Sequence, residues 1–126
     1  MAVSPEFAAH VRDLFHGIGP VAIRRMFGGA GIYLSDAMFG LIYEDGLIYM
    51  RGDAELGPAY EAEGSEQWVY DGQSKPVAMP FWRLPDSAMD DPDEALAWAR
   101  RSLMPAEAAA AEKRAAKARK QARKRG

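Results

Sequence analysis

The 126-residue chain has no cysteine, which excludes disulfides, thiolate metal sites and thiol nucleophiles. It has two histidines, His10 and His16. Six residues apart on a helix, they stand about 240° from one another and cannot share one metal ion. Both are expected on a solvated helix surface. No stretch reaches the ~18 apolar residues of a membrane span. The opening "MAVSPEFAAHVRD" lacks the basic and then apolar pattern of a secretory signal. The expectation is a cytoplasmic protein with no membrane partner.

Basic residues are scarce over most of the chain. Residues 1–105 carry eight Lys/Arg against sixteen Asp/Glu, a balance of −8, whereas residues 106–126 carry eight against two, a balance of +6. An acidic body with a basic tail implies that the two parts meet different partners. The length allows one domain with one core. We divide the chain into an α+β domain at 1–104 and a basic, alanine-rich helical or disordered tail at 105–126.

Ser4, Pro5 and Glu6 read as a helix start, and Phe7, Val11, Leu14 and Ile18 recur at helical spacing. Between Val21 and Arg51 the period falls to two, predicting three or four antiparallel strands. Asp45-Gly46 makes a tight hairpin and Ser35-Asp36 a weaker turn. Asp53 caps a short helix ending near Gly64, with Pro58 resetting its first turn. Two strands follow, "QWVY" and "VAMPFWR". Pro80 in the second predicts an edge strand or a bulge. The acids Asp90, Asp91, Asp93 and Glu94 open a last helix, where capping explains them. Leu96, Trp98, Ala99 and Leu103 are its expected apolar contacts. Pro105 is expected to kink or restart it. The tail beyond has no large apolar residue and is expected to stay outside the core.

The cluster Gly28, Gly29 and Gly31 is followed by "IYL", a strand, and not by the helix that a phosphate-binding loop requires. These glycines read as a bulge or tight connection. No catalytic residue, metal site or cofactor emerges, so the chain is read as non-enzymatic. The alternative is a small-ligand-binding domain or enzyme using a cleft near Gly28–Gly31 and the aromatic strands. Tyr33, Phe39, Tyr43, Tyr49, Trp68, Tyr70, Phe81 and Trp82 make both sheet faces apolar. A face without helices is then wrapped by the last helix, or is covered by a second copy or a protein partner.

In the tail, Lys113, Lys117, Lys120 and Lys124 fall within a ~60° stripe of a helix, flanked by Arg114, Arg119, Arg123 and Arg125. Like charges predict partial disorder in isolation. Counterion release would favour weak, non-specific binding of DNA or RNA, and the equal alternative is a solvated tail or one that folds back on the protein's own acids.

The run "RRMFGGAGIYLSDAMFGLIYEDGLIYMR" resembles the N-terminal domain of the TfoX/Sxy family, bacterial regulators associated with natural competence. The residues carrying the likeness are Arg24, Arg25, Met26, Phe27, Gly28, Gly29, Gly31, Met38, Phe39, Gly40 and Gly46. "MPFWRLP" at Met79–Pro85 resembles a second family block. The likeness spans approximately residues 5–103. It implies a two-layer α+β fold, secretion-chaperone-like, with helices packed on an antiparallel sheet of about five strands (α-β-β-β-α-β-β-α). It also implies transcriptional regulation through protein contacts, without catalysis. Arg24 and Arg25 are the recognition candidates, with strand-edge charges as an equal explanation.

Overall fold

The computed structural model describes residues 3–26, 28–71 and 74–125. Phe27 of the family motif therefore lies outside the described residues. Helix α1, Pro5–Leu14, starts as its sequence predicts: the Ser4 hydroxyl accepts a hydrogen bond from the Phe7 amide at 3.0 Å, and Pro5 occupies the first turn. A 3-10 turn at His16–Ile18 leads into four strands: β1 (Val21–Met26), β2 (Gly29–Leu34), β3 (Ala37–Glu44) and β4 (Leu47–Arg51). Helix α2, Gly57–Ala62, is followed by β5 (Gln67–Asp71), β6 (Pro76–Arg83) and the 34-residue α3, Pro92–Arg125.

The strands form one antiparallel sheet in the order β1-β2-β3-β4-β6-β5. The expected α+β class and antiparallel sheet are as read. Among the described residues the strand count is six, because the region Val21–Arg51 holds four. Pro80 does not mark an edge: β6 lies between β4 and β5, and β5 is the outer strand. The missing Pro80 amide is accommodated opposite an irregularity between Gln67 and Val69.

Strand alternation divides the sheet into two unlike faces. Ala30, Ile32, Ile42, Ile48 and Met50 point to one side and are at most 1% exposed. They join Val11, Leu14, Phe15, Trp98, Ala99 and Tyr60 in a single core, so all three helices cover this side. Helix α3 packs chiefly across β3. Its cap is Asp91, whose Oδ1 accepts the amides of Asp93 and Glu94 at 3.0 and 3.2 Å. Of the acids at this helix start only Asp91 acts as the cap among the described residues: Glu94 accepts from the Ser87 hydroxyl, and Asp90 lies 3.8 Å from His10 Nε2. His10 is not simply solvated: it is half-buried, with Nε2 3.1 Å from the Met89 carbonyl.

Pro105 does not interrupt α3, and Ala106 and Ala110 beyond it are 2% and 7% exposed. The expectation that nothing in the alanine-rich segment reaches the core is corrected here. Small residues allow close approach of a helix to a sheet, so alanine suffices where a large side chain would overfill the space.

At the centre of this layer Tyr60 stacks on Trp98 with ring centroids 4.4 Å apart, and its hydroxyl bonds Ser102, which is fully buried. Burial raises the Tyr60 hydroxyl well above its ordinary value of 10.0, against the smaller opposing effect of the Ser102 bond. The fold therefore favours the neutral phenol. Its contribution is complete below the unfolded value and is lost as pH rises through the folded one, at up to about 1.4 kcal/mol per pH unit. Tyr60→Phe is expected to cost about 1–3 kcal/mol at pH 7 by orphaning Ser102, and to flatten the alkaline loss. Adding Ser102→Ala should recover most of the neutral-pH cost. Urea unfolding at pH 7 and 11 tests both statements.

Candidate functional site

Two surfaces lie outside the core. The first is the sheet face away from the helices. Arg24 sits here above the Tyr33 ring, its guanidinium carbon 4.5 Å from the centroid. Trp68 forms the centre of an aromatic group, with ring centroids 6.3 Å from Tyr43, 6.0 Å from Tyr49, 6.5 Å from Tyr70 and 6.2 Å from Phe81. Tyr43 follows the core residue Ile42, and Trp68 follows Gln67, which pairs with core Trp82, so alternation sends both to this side, and the placement of β6 between β4 and β5 brings them together. Phe81 is 3% exposed yet stands apart from the helix-side core, being covered by the aromatic neighbours and by Arg51, 5.4 Å above its ring.

Arg51 is partly desolvated in this layer, which pushes its guanidinium down from the ordinary value. Its Nε is buried and has no hydrogen-bond partner among the described residues. Burial raises the Tyr49 hydroxyl, with Arg83 acting against the shift and Glu66 with it. The face thus carries charges of both signs around an apolar centre.

Arg24 and Arg25 point to opposite sides of β1. Arg25 Nη1 donates to the Val3 carbonyl at 2.6 Å, which ties the N-terminal segment to the strand. Arg24 alone of the pair is on the open face. Of the glycines, Gly28 has φ 82° in the connection between β1 and β2, a conformation that suits glycine. A Cβ at Gly29 would stand 2.4 Å from the Ile42 carbonyl oxygen, and one at Gly31 would stand 2.6 Å from Tyr33 Cε1. The cluster closes a hairpin and fits under neighbouring groups. The alternative of a ligand cleft beside Gly28–Gly31 finds no open space at Gly29 or Gly31. A shallow polar groove between Glu63–Glu66 and Arg83–Ser87 belongs to the opposite end of the sheet.

The second surface is the end of α3. Residues 111–125 are helical and exposed on every side, a rod about 22 Å long at 1.5 Å per residue. The sequence leaves this segment helical or disordered, and in the structure it is helical. A helix already nucleated by its packed first half propagates readily through alanine, lysine and arginine. Lys113, Lys117, Lys120 and Lys124 continue the line of Ala95, Ala99, Ser102, Ala106 and Ala110, all within a band of about 80° on the helix. The face of α3 that is buried against the sheet becomes a lysine face once the helix passes the sheet.

The arginines are partly engaged. Arg114 pairs with Asp36 in the β2–β3 turn, and that hydrogen bond holds the Asp36 carboxyl below its usual value. Arg119 is 3.5 Å from Glu112. Arg123 and Arg125 lie near the end of the rod. Sequence periodicity revealed the lysine stripe. It did not reveal that the stripe prolongs the buried one, since that line is made of alanine and serine.

Among the described residues no His, Cys, Asp and Glu group has the arrangement of a metal site, and no helix is long and apolar enough to cross a membrane. Fold and surfaces together define a two-layer α+β domain with helices on one side, an open aromatic sheet face and a cationic helical extension. The chain belongs to the TfoX N-terminal domain family, whose model matches residues 13–106. A protein named DNA transformation protein TfoX1, from Aliivibrio fischeri, is 35% identical over 66 residues, covering 49% of this chain and 31% of that protein. The chain thus spans less than a third of the length of that curated relative.

Proposed function

We propose that this protein is a non-enzymatic regulatory or adaptor module, related in role to DNA transformation and competence, that works through contacts with protein and with nucleic acid. Family membership supports the regulatory reading. The observation that carries the rest is the physical separation of two unlike surfaces. The open sheet face is aromatic and mixed in charge, which suits a protein. The end of α3 is a fully exposed cationic rod, which suits a polyanion.

Arg114 has a particular part in this arrangement. By pairing with Asp36 it offsets an acid at the root of the rod, where a free carboxylate would repel phosphate. Arg24 belongs to the protein-facing surface, and Arg25 serves the N-terminal connection. The protein acts in the cytoplasm in this reading.

The test compares the intact chain with a full-length variant in which Lys113, Arg114, Lys117, Arg119, Lys120, Arg123, Lys124 and Arg125 are all glutamine. The intact chain should bind generic duplex DNA at low salt with little sequence preference. The variant should lose that binding while keeping its circular dichroism. Equal binding by both proteins would remove the nucleic-acid part of the proposal.

A further inference from the structure

The open sheet face needs an occupant, and its own chemistry narrows the choice. Tyr43 and Tyr70 are 49% and 56% exposed beside the Trp68 ring. Val77 pairs with Tyr70 across β5 and β6 and extends the same surface, at 44% exposure. These residues lie where the two strands run past β4, whose pairing to β6 covers only Tyr49–Arg51 and Arg83–Phe81. A two-stranded ribbon gains little stability by itself. Aromatic residues and arginine at the centre of an open face are the composition of a protein interface.

We propose that the occupant is a second copy of this chain, docked sheet face to sheet face about a two-fold axis. The proposal rests on the reading that the domain works through protein contacts, and it names the partner and the surface. Charge is the first argument. The face presents Arg24 and Arg51 together with Glu44 and Glu66, so both signs are available to a self-complementary contact. A single-stranded nucleic acid would stack on the rings but would also meet Glu44 and Glu66, on a body whose balance over residues 1–105 is −8.

Area is the second argument. Six strands spaced ~4.8 Å apart and about 18 Å long offer roughly 500 Å² per copy, or about 1,000 Å² for two, the lower bound for a specific interface. Geometry is the third. A two-fold axis along the strands near the middle of the sheet lays β1 of one copy over β5 of the other. Across the ladder Arg24 is level with Gly31, Leu41, Tyr49 and Arg83, so it then faces Glu66 and the Trp68 start of β5, where pairing with Glu66 and guanidinium stacking on the Trp68 ring are both available.

The experiment is sedimentation equilibrium of the full chain without nucleic acid. Dimers should form with Kd in about the 1–100 μM range, as expected for a small interface. Tyr70→Lys and Tyr43→Lys change exposed residues of this face and should each weaken association by about 30-fold or more. Val69→Lys is the control: Val69 is 49% exposed but neighbours Tyr70 on the strand and so points to the other side. That variant should dimerise like the parent.

A chain that stays monomeric through this range overturns the proposal. So does a dimer that survives both tyrosine variants, or one lost equally in Val69→Lys. Quenching of tryptophan fluorescence by oligothymidylate, abolished by Tyr70→Lys, would assign the face to single-stranded DNA instead. Duplex binding by the α3 rod is independent of all these outcomes, so a monomer that still binds duplex DNA refutes this inference and leaves the regulatory reading standing.

Discussion

Trp82→Ala is expected to lower stability by about 3–5 kcal/mol, the range for removing a large aromatic from a packed core. The ring is 7% exposed and lies against the backbone of two glycines. A Cβ at Gly57 would stand 2.4 Å from Trp82 Cζ2, and one at Gly52 would stand 2.6 Å from Cε3. The indole N–H donates to Glu61 at 2.9 Å, so the side chain also fixes α2 to β6. This geometry predicts coupling as well as loss. Gly57→Ala alone should destabilise by about 1–3 kcal/mol through overpacking. In the Trp82→Ala background the same methyl group has room, and its cost should largely vanish. Urea unfolding followed by far-ultraviolet circular dichroism measures all four proteins. Additive losses would mean that ring and glycines are not the fitted pair described here.

The sequence made some of this legible and concealed the rest for identifiable reasons. Ser4, Asp45-Gly46 and Asp91 act locally, through one side chain or one backbone angle, and each does in the structure what its sequence context implies. The helical spacing argued for His10 and His16 does not carry over, because α1 ends at Leu14 and His16 lies in the 3-10 turn, and it held no information about Met89, which lies 79 residues from His10. Alternation marked both sheet faces as apolar and could not say which one the helices take. That choice depends on where α3 lands, a tertiary matter. The aromatic group around Trp68 was hidden for another reason: it forms only because β6 lies between β4 and β5, and the order of strands in a sheet is not written in their period.

Pro80 is a similar case. An edge position and a bulge are both ways of tolerating a missing N–H, and the second applies in an interior strand. The contribution of alanine to the core was missed because apolar stripes are usually recognised by large residues. Ala95, Ala99, Ala106 and Ala110 are buried with almost no side chain to show it.

That alanine line leads to the second large effect, on DNA affinity. Lys113, Lys117, Lys120 and Lys124 are unengaged among the described residues, whereas Arg114 and Arg119 already have acidic neighbours. The lysine face should therefore supply most phosphate contacts. Four contacts on duplex DNA give a slope of about −3.6 in log K against log salt, or a roughly 150-fold loss of affinity between 50 and 200 mM. Replacing the four lysines by glutamine keeps helix propensity nearly constant and should bring the slope close to zero. Replacing Arg114, Arg119, Arg123 and Arg125 instead should leave most of it, because the four contacts are the lysines' and two of the arginines are paired within the chain. Fluorescence anisotropy of a labelled duplex across a salt series reads both variants directly. If the arginine variant loses as much slope as the lysine variant, phosphate does not select the face that continues the buried side of α3, and the rod binds as an undirected positive charge.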